Sequence, residues 1–204
     1  QSRIVVNDAA GVGAETAAKE MQSDIHDICG LDLEIVKGTS AGAQDIYLES
    51  QTEDTYGTGK EGYLLVNGEE GIKIYSSAKT GLLYGTVTVE QMLYQDDEHK
   101  SVPKGVIRDY PLYEMRGIMF DIARIPTRMP FLNDYTKIMK WYKLNEMQLH
   151  INDNQWSQPA YSANYEDWAE TEASHRLQSE LFPSLAAQKS KFVKTGDSAC
   201  LLYT

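Results

Sequence analysis

The sequence is short of three things, and each shortage narrows what the chain can do. It has two cysteines in 204 residues, Cys29 and Cys200. They lack the C-x-x-C spacing of a zinc ribbon or a redox pair. A bridge between them stays open, because a sequence does not supply the Cα geometry. The apolar runs are also short. Gly81-Leu82-Leu83-Tyr84 is among the longest, far below the roughly 18 residues of a membrane span. Positive charge is scarce as well: 19 Lys and Arg stand against 30 Asp and Glu, a formal charge of -11. That excludes nucleic acid as an expected partner, since a phosphate backbone is held by clustered Lys and Arg. No membrane association is expected.

Metal and cofactor signals are equally thin. No two His lie at i, i+4, and His150-x-x-Asp153 is not a usual ligand spacing. Gly11-Val12-Gly13 lacks the third glycine of a dinucleotide loop. The expectation is no metal and no cofactor. The chain opens on Gln1-Ser2-Arg3 without an initiator Met, which fits a removed leader or a piece of something longer.

What is present is patterned. At 42% hydrophobic residues the chain can bury a core, and its length allows one large domain or two small ones. Residues 3–8 read as a strand, and Ala14 to Cys29 as an amphipathic helix with Ala17, Met21, Ile25 and Ile28 on one face, stopped by Gly30. Four β-rich runs follow at 33–37, 45–49, 62–66 and 71–75, the last two joined by a hairpin-turn signal at Val66–Gly71. Thr80 to Tyr94 reads as a second helix. Sequential strands with hairpins predict a small, mainly antiparallel sheet with two helices, an α+β domain over residues 1–105. The polar, Pro-containing stretch 96–104 is the expected boundary.

From there the pattern changes. Gly117–Ala123 is an apolar strand, Pro130–Leu144 an amphipathic helix and Glu146–Asp153 a second strand. Strand, helix, strand with a short turn at Lys143-Leu144-Asn145 is the unit of a parallel sheet or barrel. Residues 106–204 are therefore expected to be the first part of a (β/α)8 TIM barrel. In such a barrel the reactive groups stand at the C-terminal strand ends. Two segments meet that description, Asp121–Arg124 and His150–Trp156. Arg124 offers a planar fork of donors for paired hydroxyls or a carboxylate, or is a surface Arg at a helix start. Asp153 is a general base, a sugar hydroxyl acceptor, a partner for a His, or a turn residue. His150 alternates with Leu149 and Ile151 and so points away from their face. Trp156 is the better sugar-stacking candidate, and Trp141, within the helix, reads as core.

Arg116-Gly117-Ile118-Met119-Phe120-Asp121-Ile122-Ala123-Arg124 resembles the first barrel strand of glycoside hydrolase family 20, the β-N-acetylhexosaminidases and lacto-N-biosidases. Tyr142-Lys143-Leu144-Asn145 with His150-Ile151-Asn152-Asp153-Asn154 resembles its second strand. Upstream, Glu61-Gly62-Tyr63, Gly71-Ile72-Lys73-Ile74 and Gly81-Leu82-Leu83-Tyr84-Gly85 with Thr88 and Gln91 are similar to the small α+β domain that precedes the barrel in this family.

The resemblance implies substrate-assisted hydrolysis, in which the 2-acetamido oxygen of the substrate attacks the anomeric carbon. It implies N-acetylhexosamine-containing glycans as partners and an extracellular or cell-surface location. By position, Arg124 would bind hydroxyls of the terminal sugar and Asp153 would pair with a His further on. His150 and Trp156 would lie near the sugar pocket. The Asp-Glu pair of the fourth barrel strand has no counterpart in these 204 residues, so no catalytic residue is present and the isolated chain is expected to be inactive. From Met115 it holds 90 residues, against roughly 250 in a complete barrel. An open barrel edge would then offer a route to self-association. The alternative is a non-catalytic module that binds carbohydrate or a protein partner. The choice between hexosaminidase and lacto-N-biosidase stays open.

Overall fold

The computed structural model describes residues 2–122, 127–151 and 181. The chain divides into two units, Gln1–Glu114 and Met115–Thr204.

The first unit is a six-stranded mixed sheet with two helices. Its elements are β1 (Arg3–Asn7), α1 (Ala14–Cys29), β2 (Glu34–Lys37), β3 (Ile46–Ser50), β4 (Tyr63–Gly68), β5 (Gly71–Ser76), α2 (Lys79–Gln95) and β6 (Gly105–Asp109). The strand order is β2-β1-β3-β5-β4-β6. β1 pairs in parallel with β2 and β3, and β3 with β5, whereas β4 runs antiparallel to both β5 and β6.

The expectation of a mainly antiparallel sheet is thus corrected. The Val66–Gly71 hairpin is there, but it belongs to one edge. α1 carries the chain back between β1 and β2, and such a crossover makes strands parallel. The signal was the near-continuous apolar character of Ile4-Val5-Val6 and Ile46-Tyr47-Leu48, all buried. Strands buried on both faces lose alternation.

α1 and α2 cover one face of the sheet. Ile4, Val6, Ile46, Leu48, Ile74 and Leu65 meet Ala17, Ala18, Met21, Ile25, Leu82 and Val89 there. Each fully buried aliphatic side chain contributes about 1.5–3 kcal/mol. α1 starts without a side-chain cap at Gly13. Asp8 substitutes from the preceding loop, accepting from the backbone N–H of Val12 and Gly13 at 3.0 Å each. The helix ends as expected at Gly30, in the left-handed region at φ 67°, whose N–H bonds to the His26 carbonyl at 2.8 Å.

α2 is buried nearly all round, and it lies close to the sheet because of its glycines. A Cβ on Gly85 would sit 2.4 Å from Ile74 Cγ2, and one on Gly81 would sit 2.2 Å from the Gly62 carbonyl oxygen. Tyr63, 1% exposed, ties three elements together. Its hydroxyl donates to Asp109 at 2.9 Å at the end of β6 and meets the Thr88 hydroxyl of α2 at 2.5 Å.

β6 was not anticipated. It closes one edge of the sheet through β4, so the first unit extends past residue 105 to Glu114. Its Gly-Val-Ile-Arg-Asp is too short for a local pattern to stand out beside the polar stretch before it.

In the second unit, β7 (Gly117–Asp121), α3 (Met129–Trp141) and β8 (Glu146–His150) form a strand-helix-strand unit whose two strands pair in parallel. Pro130 sits in the first turn of α3, where its missing N–H costs nothing. The chain leaves through Lys143 in the left-handed region at φ 54°. Phe120 of β7 packs edge-on against Tyr135 and Phe131 of α3, at ring centroids 4.3 and 6.0 Å apart.

Candidate active site

Two backbone facts set up the strand ends of the second unit. The first is a latch where β7 and β8 begin. The Arg116 N–H donates to the Asn145 side-chain oxygen at 2.9 Å, the Asn145 N–H returns to the Arg116 carbonyl at 2.9 Å, and Arg116 Nε donates to the Lys143 carbonyl at 2.9 Å. The left-handed turn at Lys143 points that carbonyl at the guanidinium. The second is the register this latch fixes, Gly117 against Glu146 through Asp121 against His150. The ladder ends with the Ile122 N–H on the His150 carbonyl at 3.1 Å.

Asp121 and His150 therefore finish neighbouring parallel strands, about 4.8 Å apart in the pairing direction. Phe120 faces α3, so alternation places Met119, Asp121, Gln148 and His150 on the opposite face of the pair. His150 stands away from the Leu149 face, as alternation implies. Ile122, 1% exposed, anchors the exit of β7. A carboxylate beside an imidazole at two strand exits supplies hydrogen-bond acceptors and donors to a polar ligand.

Of the expected site residues, the structure places His150 and brings Asp121 beside it. Arg124, Asp153 and Trp156 lie outside the described residues. Trp141 is the last residue of α3 and is half-buried, in keeping with a packing role. Arg116 and Asn145 carry the latch that sequence reasoning left without a role. Their signal was an Arg directly before one strand and an Asn directly before the next. Among the described residues no group of three His, Cys, Asp or Glu could hold a metal ion, and no helix is long and apolar enough to cross a membrane. Cys29 carries a free thiol, pushed up in pKa by burial, and Cys200 lies outside the described residues.

Residues 1–110 match the family model of glycosyl hydrolase family 20, domain 2, and residues 113–181 match that of glycosyl hydrolase family 20, catalytic domain. The chain belongs to glycosyl hydrolase family 20. It is 35% identical over 101 residues to a β-hexosaminidase of Akkermansia muciniphila, covering 48% of this chain and 20% of that protein. A lacto-N-biosidase of Bifidobacterium bifidum is 27% identical over 168 residues, covering 80% of this chain and 14% of the other. Among solved structures, the β-N-acetylhexosaminidase of Streptomyces coelicolor A3(2) aligns with a TM-score of 0.57 at 29% identity, covering 74% of this chain and 31% of that one. The family 20 chain described here thus spans a fifth or less of these two relatives and about a third of that structure. The two family models match in order along the chain: the mixed sheet with its helices falls in the first, the parallel strand pair with Asp121 and His150 in the second.

Proposed function

We propose that this chain is the opening part of a glycoside hydrolase that removes terminal N-acetylhexosamine, or lacto-N-biose, from glycans by substrate-assisted hydrolysis. One observation carries the reading: both family 20 segments occur in order on one chain, and the second forms a parallel strand pair. In this reading β7, α3 and β8 begin a (β/α)8 barrel, and their C-terminal ends face the sugar. Arg124 gives its donors to the hydroxyls of the terminal ring, Asp153 and His150 support the polar wall, and Trp156 stacks against the sugar. The acetamido oxygen of the substrate acts as nucleophile, so the protein's tasks are to orient the ring and to protonate the leaving oxygen. No cofactor or metal enters this scheme.

The 204 residues alone lack the Asp-Glu pair and are expected to be silent. The proposed setting is extracellular or at the cell surface, with self-association through the open barrel edge. A chimera tests the reading. Residues 1–181 replace the corresponding segment of the Streptomyces coelicolor enzyme, and release of nitrophenol from its N-acetyl-β-glucosaminide is followed. Activity in the chimera is expected, falling about tenfold to a hundredfold with Arg124→Ala. A soluble, folded chimera without activity, or one indifferent to Arg124→Ala, contradicts the assignment.

A further inference from the structure

The sheet of the first unit has a second face that no described helix covers. The pairing aligns two rows across it: Val36, Val5, Tyr47, Lys73, Val66 and Val106, then Asn7, Glu49, Tyr75, Leu64 and Arg108. The connection from β2 to β3 crosses this face. The Gly38 N–H bonds to the Val6 carbonyl at 3.1 Å, and the Tyr47 hydroxyl reaches the Thr39 carbonyl at 3.3 Å. Between this crossing and the β4–β5 turn lies a cleft of about 480 Å³, with Thr39, Tyr47, Glu49, Glu70, Lys73 and Tyr75 in its lining. That lies within the roughly 300–1,000 Å³ of small-molecule sites.

The chemistry of the cleft is specific. Asn7 Nδ2 donates to the Tyr47 hydroxyl at 2.8 Å, whose one proton is directed to Glu49 Oε2 at 2.8 Å and more distantly to the Thr39 carbonyl, so the phenol has no donor left. Glu49 Oε1 and the Tyr75 hydroxyl have no protein partner among the described residues. Lys73 pairs with Glu70 and keeps further N–H donors. The Tyr75 ring stands between Tyr47 and Tyr56, at 6.3 and 5.9 Å. The cleft thus offers an anionic acceptor, an ammonium donor, a phenol and aromatic surface within one space.

Charge decides between ligands. Glu49, Glu69 and Glu70 face two cations, Lys73 and Lys104, each already paired with one of those carboxylates. The surplus carboxylate, Glu49, repels phosphates and acidic sugars. The polar floor gives an apolar peptide little to bury. A polyhydroxylated, uncharged ring matches it, because each hydroxyl both donates and accepts and the C–H face can lie on tyrosine.

We propose that this cleft is a saccharide-binding site of the first unit, taking one or two residues of an uncharged N-acetylhexosamine oligomer. The choice of N-acetylated sugar rests on the function proposed above. The cleft itself rests on its own residues.

The test titrates triacetylchitotriose into the 15N-labelled 204-residue chain and into the Glu49→Gln, Lys73→Met and Arg124→Ala variants. Saturable amide shifts are expected at Tyr47, Glu49, Lys73 and Tyr75. Read at these four amides, affinity should fall about tenfold in Glu49→Gln and severalfold in Lys73→Met. Both substitutions fall at partly exposed positions, and the unliganded spectrum verifies the fold. No saturable shift in the first unit overturns the proposal. So do shifts confined to residues beyond 115 that vanish in Arg124→Ala, and so does a Lys-rich peptide that perturbs the cleft when the sugar does not. Failure of the chimera above leaves this titration intact, because the titration reads binding in the first unit and the chimera reads turnover.

Discussion

The two units differ in how much of their own core they carry. In the first, Ile4, Met21, Leu48, Ile74 and Leu82 are wholly inaccessible, and every strand of the sheet is paired. In the second, among the described residues, Ile122, Leu132 and Met139 are buried, whereas Met119, Phe131 and Ile138 are 57, 50 and 43% exposed. The two strands and one helix described there do not by themselves enclose a core, since a parallel pair needs both faces covered. The first unit therefore encloses a core of its own, which the described elements of the second do not. The chain supplies its own probe of this contrast, because Trp141, Trp156 and Trp168 all lie beyond residue 115.

The largest expected effect follows. In urea, tryptophan fluorescence should change at lower denaturant than far-UV circular dichroism, to which most of the described helix and strand residues contribute from the first unit. Leu48→Ala should cost about 3 kcal/mol on the dichroism transition through its cavity and leave the fluorescence transition in place. Met119→Ala, at an exposed position, should move either by less than about 0.5 kcal/mol. Coincident transitions, shifted together by Leu48→Ala, would mean the two units fold as one and would break the comparison.

A second substitution sharpens what holds the first unit. Gly85→Ala gains helix propensity of about 1 kcal/mol but drives a methyl into Ile74, against which the close approach of α2 is built. Overpacking of this kind costs about 1–3 kcal/mol, so a net destabilisation of up to about 2 kcal/mol is expected. Gly68→Ala is the control, since a Cβ there meets nothing within 4 Å. Equal midpoints for the two variants would show that α2 does not depend on that contact.

The latch of the second unit gives a smaller effect. Asn145→Ala removes the acceptor of the Arg116 N–H at an exposed site, a loss of about 1 kcal/mol. Hydrogen exchange should quicken at β7 and β8 and stay unchanged in the six-stranded sheet. Faster exchange throughout would couple the units.

How much of this was legible in the sequence depends on the range of each interaction. α1 with its Gly30 stop, the Val66–Gly71 hairpin, α2 and the β7-α3-β8 unit all follow from periodicity and turn residues within about twenty positions. The parallel order β2-β1-β3-β5 did not, because it is decided by which strands meet after α1 and by burial on both faces. β6 was missed for the same reason: Tyr63 and β4 make it a strand, and they lie some forty residues upstream. At the candidate site, alternation places His150 away from Leu149, and strand-end reasoning selected the segment with Asp121. The Arg116–Asn145 latch was hidden, since its logic is a backbone hydrogen bond across 29 residues. The cleft over Tyr47 and Tyr75 was equally hidden, because it exists only where β3 and β5 lie side by side.

The smallest expected effect concerns acid, and it again separates the units. Asp45, 4% exposed, accepts from Arg3 NH2 at 2.7 Å, the Arg3 N–H at 3.2 Å and the Gly42 N–H at 2.9 Å. The hydrogen bond from the Arg3 guanidinium is the main cause that holds its carboxyl below the usual range, against burial, which raises it. An unfolded Asp titrates near about 3.9. A depressed folded value means the unfolded chain binds the proton first, so this stabilisation is complete above about pH 4 and is lost as pH falls through the folded value. The midpoint of the dichroism transition should accordingly decline below about pH 4, and Asp45→Asn should flatten that decline while lowering the midpoint at pH 7. Glu98→Gln, which removes only the exposed Lys100 pair, should leave the profile unchanged. The fluorescence transition should keep its acid dependence in Asp45→Asn, because Asp45 lies in the first unit and all three tryptophans lie in the second. A matching change in both signals would place Asp45 in a cooperative unit larger than the first sheet.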